Sequence, residues 1–494
     1  MKFSTWMIVL VTIGVNLLIW TTINKPYNTV ETSYPINSVS FNPYKKNQSP
    51  YTTPEISPEQ LEEDLKAVEG KARTIRLYSS MNGLDRVPEL AKEHNIQVVA
   101  SAFIDDRQGD EKNDEDVLRT IELAGKNKNV SRVIIGNETQ LHKTVPVEKL
   151  KAYLQMARKK LKTPVSTAEP WDFWIQHPDF VDEVDYIAIH ILPYWVEVPI
   201  DQAVDYVVGK YLAVKNMFPK KYVYIAETGW PSDGPQRGAA EATLKNQADF
   251  VRRFVQRAEE EKIPYNIIEA FDQPWKSVTE GNVGEHWGLM DADRHDKFPL
   301  QGPVLEDPKW KYWAISSSVL GFLGTAVFLS RRRDLKKRGQ FISMAVFQGL
   351  AAFSTQMARQ ASNQYMSPGD IVFWGVMITA HFLLAILMVT DAMEIADVVG
   401  DKPLKRKFLP SNVELEHWPF VSLHVACCNE PPDMMIQTVD SLASLDYPNY
   451  EIMVIDNNTM DPAVWKPLQE HCATLGDKVR FLLWENILVL KPVL

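Results

Sequence analysis

The chain has 494 residues, 45% apolar and 23% charged, a length that calls for more than one folded unit. Its net charge of -10 argues against nucleic acid as a partner. Its three cysteines, Cys427, Cys428 and Cys472, exclude an upstream disulfide framework and suit a reducing compartment around the C-terminal end.

Residues 3–24 carry no charge and are mostly apolar, enough to span a bilayer. Only Lys2 precedes them and no small-residue cleavage site follows, so they read as an uncleaved signal anchor, N-terminus inside. Residues 25–57, rich in Pro, Asn, Ser and Tyr, begin as a linker (25–35); a first strand is expected at Ser38–Tyr44, in a folded region placed from 36 to 305. Strands and helices then alternate. Strands are predicted at Arg73–Ser79, Gln97–Ile104, Ser131–Glu138, Thr163–Trp171, Asp185–Trp195, Tyr222–Ser232 and Tyr265–Trp275. Helices are predicted at Leu84–His94, Asp114–Lys126, Val147–Leu161, Ile200–Phe218 and Ala239–Glu261. Eight such units in about 270 residues predict an α/β fold of the (β/α)8 barrel type. The near-continuous apolar strands suit a parallel sheet buried on both faces. A doubly wound open sheet is the alternative, and the first turn lacks the Gly-rich signature that would favour it.

Three further apolar segments follow, at 312–330, 341–358 and 371–390, the middle one diluted by Gln, Ser and Met. Basic runs at Arg331–Arg338 and Lys402–Lys407 flank them and are expected on the cytoplasmic side. The resulting topology puts the barrel outside and the C-terminal part inside. From residue 418 a strand ends at Cys427–Pro431, a helix follows, and a second strand ends on Asp456. This is the opening of a nucleotide-binding α/β unit, with an acid at a strand's C-terminal end.

Two of the barrel strands end on a glutamate: Val133–Glu138 and Val223–Glu227. Barrel active sites form at the C-terminal ends of strands. Retaining glycosidases need two carboxylates about 5–5.5 Å apart, one a nucleophile and the other an acid that later serves as base. One strand-end glutamate alone reads as a rim salt bridge; the pair reads as catalytic. Asn137, beside Glu138, is suited to hold a sugar hydroxyl. Trp171, Trp174, Trp195 and Trp230 are candidate sugar platforms or packing residues, with Trp230 the strongest platform; Glu169 and Asp172 are candidate sugar contacts or solvated loop acids. His142, His177 and His286 lie on separate segments without ligand spacing and read as structural or surface residues, so no metal is expected in the barrel.

The stretch Glu227–Ser232 (ETGWPS), with Gly136–Glu138 (GNE) upstream, resembles glycoside hydrolase family 17, the β-1,3-glucanase-like barrels. Ile75–Ser80, Ala188–Trp195, Ile267–Lys276 and Glu285–Arg294 resemble other segments of that family. The resemblance implies a retaining mechanism with Glu227 as nucleophile and Glu138 as acid/base, no cofactor, and a β-glucan substrate. It further implies Tyr78, Tyr194, Glu269 and Lys276 as cleft residues. Two departures stand out: His190 occupies a position where plant members carry Asn, and the loop after the sixth strand is short.

Cys427–Pro431 and Ser444–Asn458 resemble the start of a family 2 glycosyltransferase of the processive membrane type. Together the two parts resemble bacterial synthases of cyclic β-glucan. That implies a multi-pass protein of the inner membrane with a periplasmic barrel and a cytoplasmic C-terminal segment. In an intact transferase, Asp456 would help bind UDP-glucose with a divalent Mg. The family's later motifs do not follow Asp456, and after Asn486 the likeness breaks off at ILVLKPVL, so a truncated or frameshifted product is expected. Two other functions are weighed: a non-catalytic glucan-binding guide for a synthase, and a UDP-glucose-dependent glucosyltransferase acting on lipid.

Overall fold

The apolar runs predicted as strands pair side by side in chain order. The computed structural model describes residues 3–332, 334–366, 368–399 and 417–484. The basic run 402–407 and the end from 487 lie outside them. After α1 (Phe3–Ile23), the barrel strands are β1 (Ile36–Ser40), β2 (Ala72–Arg76), β3 (Gln97–Ala102), β4 (Val130–Asn137), β5 (Val165–Pro170), β6 (Ile187–His190), β7 (Val223–Thr228) and β8 (Tyr265–Ile267). All neighbours are parallel, and β8 closes onto β1. The intervening helices are α2 (Pro58–Val68), α3 (Val87–Glu93), α4 (Asp110–Lys126), α5 (Val147–Lys160), α6 (Trp171–Gln176), α7 (Ile200–Met217) and α8 (Leu244–Glu261); α9 (Ser277–Glu280) follows β8. Val99, Ile134, Ala168, Tyr186, Ala188, Tyr224 and Ala226 fill the barrel interior. A larger apolar shell joins strands to helices.

Boundaries differ from the expectation where side chains leave the ladder. The predicted eighth strand runs only to Ile267, because residues 269–273 pair mainly with 285–290, Ala270 alone still donating to the Ser40 carbonyl of β1. The predicted helix from Ala239 begins at Leu244, where Thr243 caps it by accepting from the Asn246 N–H.

Among the described residues four helices are long and apolar enough to cross a bilayer: α1, α10 (Trp310–Arg331), α11 (Lys337–Asn363) and α12 (Pro368–Val399). The polar residues that dilute α11 turn inward. Ser343, Gln348 and Thr355 are buried, whereas Phe341 and Phe353 face out. Asn16 of α1 donates to Ser317 Oγ (2.8 Å) and to Gln348 Oε1 (2.9 Å), tying three helices together. Gly321 lets Gln348 approach: a Cβ there would lie 2.6 Å from its amide.

The C-terminal unit stands by itself. It is a parallel sheet in the order β11–β10–β9, made of β9 (Val421–Cys427), β10 (Tyr450–Asn457) and β11 (Val479–Trp484), with α13 (Pro432–Ala443) and α14 (Pro462–Thr474).

Candidate active site

Two strand irregularities aim the acids. In β4 the pairing with β5 jumps between Ile134 and Asn137. Gly136 there has φ 84° and Glu138 has φ 53°, an uncommon conformation for a non-glycine residue. A Cβ on Gly136 would stand 2.8 Å from Thr139 Cγ2, so only glycine fits. In β7 the pairing with β6 shifts between Ile189 and His190, which sets Glu227 opposite His190.

The result is a compact acid–base cluster. A Glu138 oxygen, a Glu227 oxygen and a His190 ring nitrogen lie within 4.8 Å of one another. His190 Nδ1–H donates to Glu138 Oε1 (2.7 Å), and its Nε2 is 3.5 Å from Glu227 Oε1. Arg76, at the tip of β2, donates from Nη1 to Glu227 Oε1 (2.8 Å) and from Nη2 to Asn137 Oδ1 (2.5 Å). Its guanidinium also lies over the Tyr78 ring, 4.6 Å from the centroid. Such a buried pair costs about 3–5 kcal/mol to break by removing one partner.

The two acids differ in environment. The Glu227 side chain is 6% exposed and that of Glu138 19%. Burial acts to raise the Glu138 pKa, but hydrogen bonds from His142 and His190 outweigh it and hold the carboxyl well below the usual range. The same bond lifts His142 above its ordinary value. Glu138, His190 and Glu227 also have the spacing of a metal-ligand trio. Arg76 Nη1 is 2.8 Å from Glu227 Oε1 and 3.4 Å from His190 Nε2, so a cation already occupies that side. We read the trio as acid–base machinery.

The other predicted residues divide. Asn137 is beside Glu138, and Tyr78 is half-buried against Arg76, its hydroxyl 2.9 Å from that of Ser40. Glu269 is fully buried and accepts from Lys276 Nζ (2.5 Å) and Asn42 Nδ2 (2.7 Å), so the pair forms floor rather than free heads. Tyr194 and Trp230 are corrected: both are completely buried. The Tyr194 hydroxyl donates to the Pro235 carbonyl and the Trp230 indole to the Glu241 carbonyl, and their rings pack edge to face. Trp230 follows a glycine whose close approach to Ile268 turns the chain inward, which removes it as a platform. Trp174 is likewise core, while Trp171 is covered by Lys210 and half-buried Trp195 stacks on Trp287.

Glu169 is neither solvated nor at the surface. It is fully buried and accepts from Thr139 Oγ1, the Gln140 N–H and the Leu141 N–H, bracing the turn after Glu138. Asp172 is half-buried and accepts weakly from Gln176 (3.4 Å). His177 is exposed and His286 is buried, as structural or surface residues. His142 is not a bystander, since its Nε2 lies 3.4 Å from Glu138 Oε2. Arg76 went unread in the sequence, although an arginine at the end of an apolar barrel strand follows the same rule that found the acids. Glu280 also went unread. It is exposed on α9, yet desolvation by the protein around it and then the charges of Glu269, Glu227 and Glu138 outweigh the nearby Lys276 and push it up to about 7.

In the C-terminal unit Asp456 is buried and accepts from the Thr459 N–H (3.0 Å) and Oγ1–H (2.8 Å), with Cys427 Sγ at 3.7 Å. Both its oxygens are engaged in bonds to Thr459.

A family model described as the BtgE/BtgC glycoside hydrolase domain matches residues 38–288, just over half of the chain. The chain belongs to that glycoside hydrolase family. A second model, glycosyl transferase family 2, matches residues 422–486. Among curated relatives of this BtgE/BtgC-type barrel, a glucan 1,3-beta-glucosidase of Arthroderma benhamiae is 29% identical over 257 residues, covering 48% of this chain and 82% of the relative. A probable beta-glucosidase btgE of Neosartorya fischeri is 25% identical over 226 residues, 44% of this chain and 40% of that protein. Among solved structures, the glycoside hydrolase family 17 beta-1,3-glucanosyltransferase of Rhizomucor miehei aligns with a TM-score of 0.48 at 20% identity, covering 55% of this chain and 99% of that one.

Proposed function

We propose that the barrel is a membrane-anchored retaining glycoside hydrolase or transglycosylase acting on β-1,3-glucan, with Glu227 as nucleophile and Glu138 as acid/base. One observation carries the reading: two strand-tip carboxylates share one imidazole, and only one of them is ion-paired with a buried arginine. Arg76 pairs with Glu227 and fixes its carboxylate in place, as attack on an anomeric carbon requires. Glu138 is the more exposed acid, placed to protonate the leaving oxygen and then to take a proton from the incoming acceptor. With Asn137 Oδ1 held by Arg76, the Nδ2 amide is left to donate to a sugar hydroxyl. The acceptor is water in hydrolysis and a glucan hydroxyl in transfer. The family 2 transferase segment in the same chain favours transfer, as remodelling of glucan at the outer face of a cell membrane, taken here as the bacterial inner membrane. UDP-glucose and Mg belong to a complete transferase domain, and no step of the barrel needs them.

The test uses laminari-oligosaccharides and the full chain. Glu227→Ala is expected to abolish both shorter and longer products. Glu138→Ala is expected to be inactive on laminari-oligosaccharides, whose leaving sugar needs the acid, but with an activated aryl β-laminarioside and azide to release the β-glycosyl azide, because a phenolate leaves unprotonated and azide needs no base to intercept the glycosyl-enzyme. Full activity of Glu227→Ala, or an α-azide product, overturns the assignment.

A further inference from the structure

The barrel and the apolar helices meet at one end of the barrel, and it is the catalytic end. In a (β/α)8 barrel each helix starts at the catalytic face and runs back towards the bottom. The start of α8 therefore marks that face. Glu306 accepts from the Lys245 N–H in the first turn of α8, just before the chain enters α10. Tyr27, four residues past α1, pairs with Val304; it donates to Asp249 (3.1 Å) and lies under Lys245 Nζ (4.3 Å). Asp307 pairs with Arg359 near the end of α11 (3.2 Å).

A fourth contact enters the rim itself. Tyr365, in the turn between α11 and α12, stacks on His286 with ring centroids 5.4 Å apart. Its hydroxyl donates to Asp272 Oδ2 (3.2 Å) and accepts from the Ala292 N–H (3.0 Å). Asp272 lies three residues beyond Glu269 in the loop after β8, and also holds Lys297 Nζ and the Gly288 N–H, both at 2.8 Å. Glu285, next to His286, feels the charge of Asp370 in the first turn of α12. On the same loop α9 exposes Val278 at 90%, the highest value of any large apolar side chain among the described residues. Val278 therefore serves as the reporter position on this side of the rim.

We propose that the barrel stands with the β7–β8 side of its catalytic rim on the outer surface of the bilayer, fixed there by Tyr365. The substrate of the site is then a β-glucan chain presented at the membrane surface, a conclusion that rests on the reading under Proposed function. The occupant of the rim is lipid, and the helix bundle brings it there.

The test needs no catalysis. In separate full-length chains Val278 and Lys220 are each replaced by azidophenylalanine carrying a clicked dye, and the proteins are reconstituted into vesicles whose phosphocholine headgroups bear a nitroxide. Lys220 is exposed and lies three residues before β7, at the opposite end of the barrel in the same sector. The expected result is strong quenching at 278 and none at 220. Equal quenching means a barrel lying on its side, and no quenching at 278 means a rim clear of lipid; either result overturns the proposal. Adding Tyr365→Ala is expected to remove the quenching at 278, and unchanged quenching overturns the role of Tyr365. Turnover of laminari-oligosaccharides is read on the same vesicles. Glu227→Ala is expected to lose turnover and keep the quenching pattern, so failure of the docking and failure of the catalytic reading give different results.

Discussion

Glu138 carries the chemical tension of the site. In the proposed reaction Glu138 protonates a leaving group, yet it is bonded to two imidazoles that favour its anion. The proton for that step is therefore governed by the hydrogen bonds that Glu138 makes to His142 and His190. Removing one imidazole has a definite sign. His142 lowers the Glu138 pKa, so His142→Ala lets the protonated acid persist to higher pH. The alkaline limb of the kcat/KM profile on laminari-oligosaccharides is expected to move up, while His190 keeps the carboxyl in place. A limb that stays or moves down counts against Glu138 as the acid. At this scale the sequence showed the two acids and Asn137, because strand tips in a barrel share one face. Arg76 was missed because its role depends on a distance across the barrel, and His142 because its place depends on the turn that follows Glu138. Trp230 was misplaced because a Gly-Trp-Pro turn reads as exposed until the packing beneath it is known.

At the scale of elements, the eight strands were legible because parallel barrel strands are buried on both faces and so form continuous apolar runs. Their ends were less legible. The irregularities in β4 and β7 have no composition signal, yet they orient both glutamates. Gly136 is where this shows in the sequence. Gly136→Ala puts an L residue at φ 84° and a methyl 2.8 Å from Thr139 Cγ2. Gly70→Ala supplies a control, with φ 71° and nothing within 4 Å of its Cβ. The left-handed conformation alone costs about 1 kcal/mol. Gly70→Ala is expected to lower Tm slightly and leave turnover intact. Gly136→Ala adds the clash, for a total of about 1–3 kcal/mol, and misdirects Glu138, so both Tm and kcat are expected to fall. Equal Tm losses with equal activity would mean that the turn has slack and does not aim the acid.

At the scale of the whole chain, the four apolar helices put the barrel and the C-terminal unit on opposite sides of a membrane if all four cross it. The weak third segment decides the parity. Its buried Ser343, Gln348 and Thr355 bond within the helix bundle, which removes the objection that it is too polar to span. The thiols report the outcome, because all three lie in the C-terminal unit and only Cys428 is exposed. Burial first, then Asp456, pushes Cys427 up to about 12, so that thiol is unreactive as well as enclosed. In spheroplasts a membrane-impermeant maleimide is therefore expected to leave the wild-type chain unlabelled until the cells are lysed, and then to label Cys428. A Lys220→Cys chain, with its thiol on the barrel surface, is expected to label before lysis. Labelling of the wild-type chain in sealed spheroplasts would place the C-terminal unit on the same side as the barrel. One of the three helices between them, α10, α11 or α12, would then not cross, and a transferase working on cytoplasmic sugar nucleotide could not feed its product outward to this site.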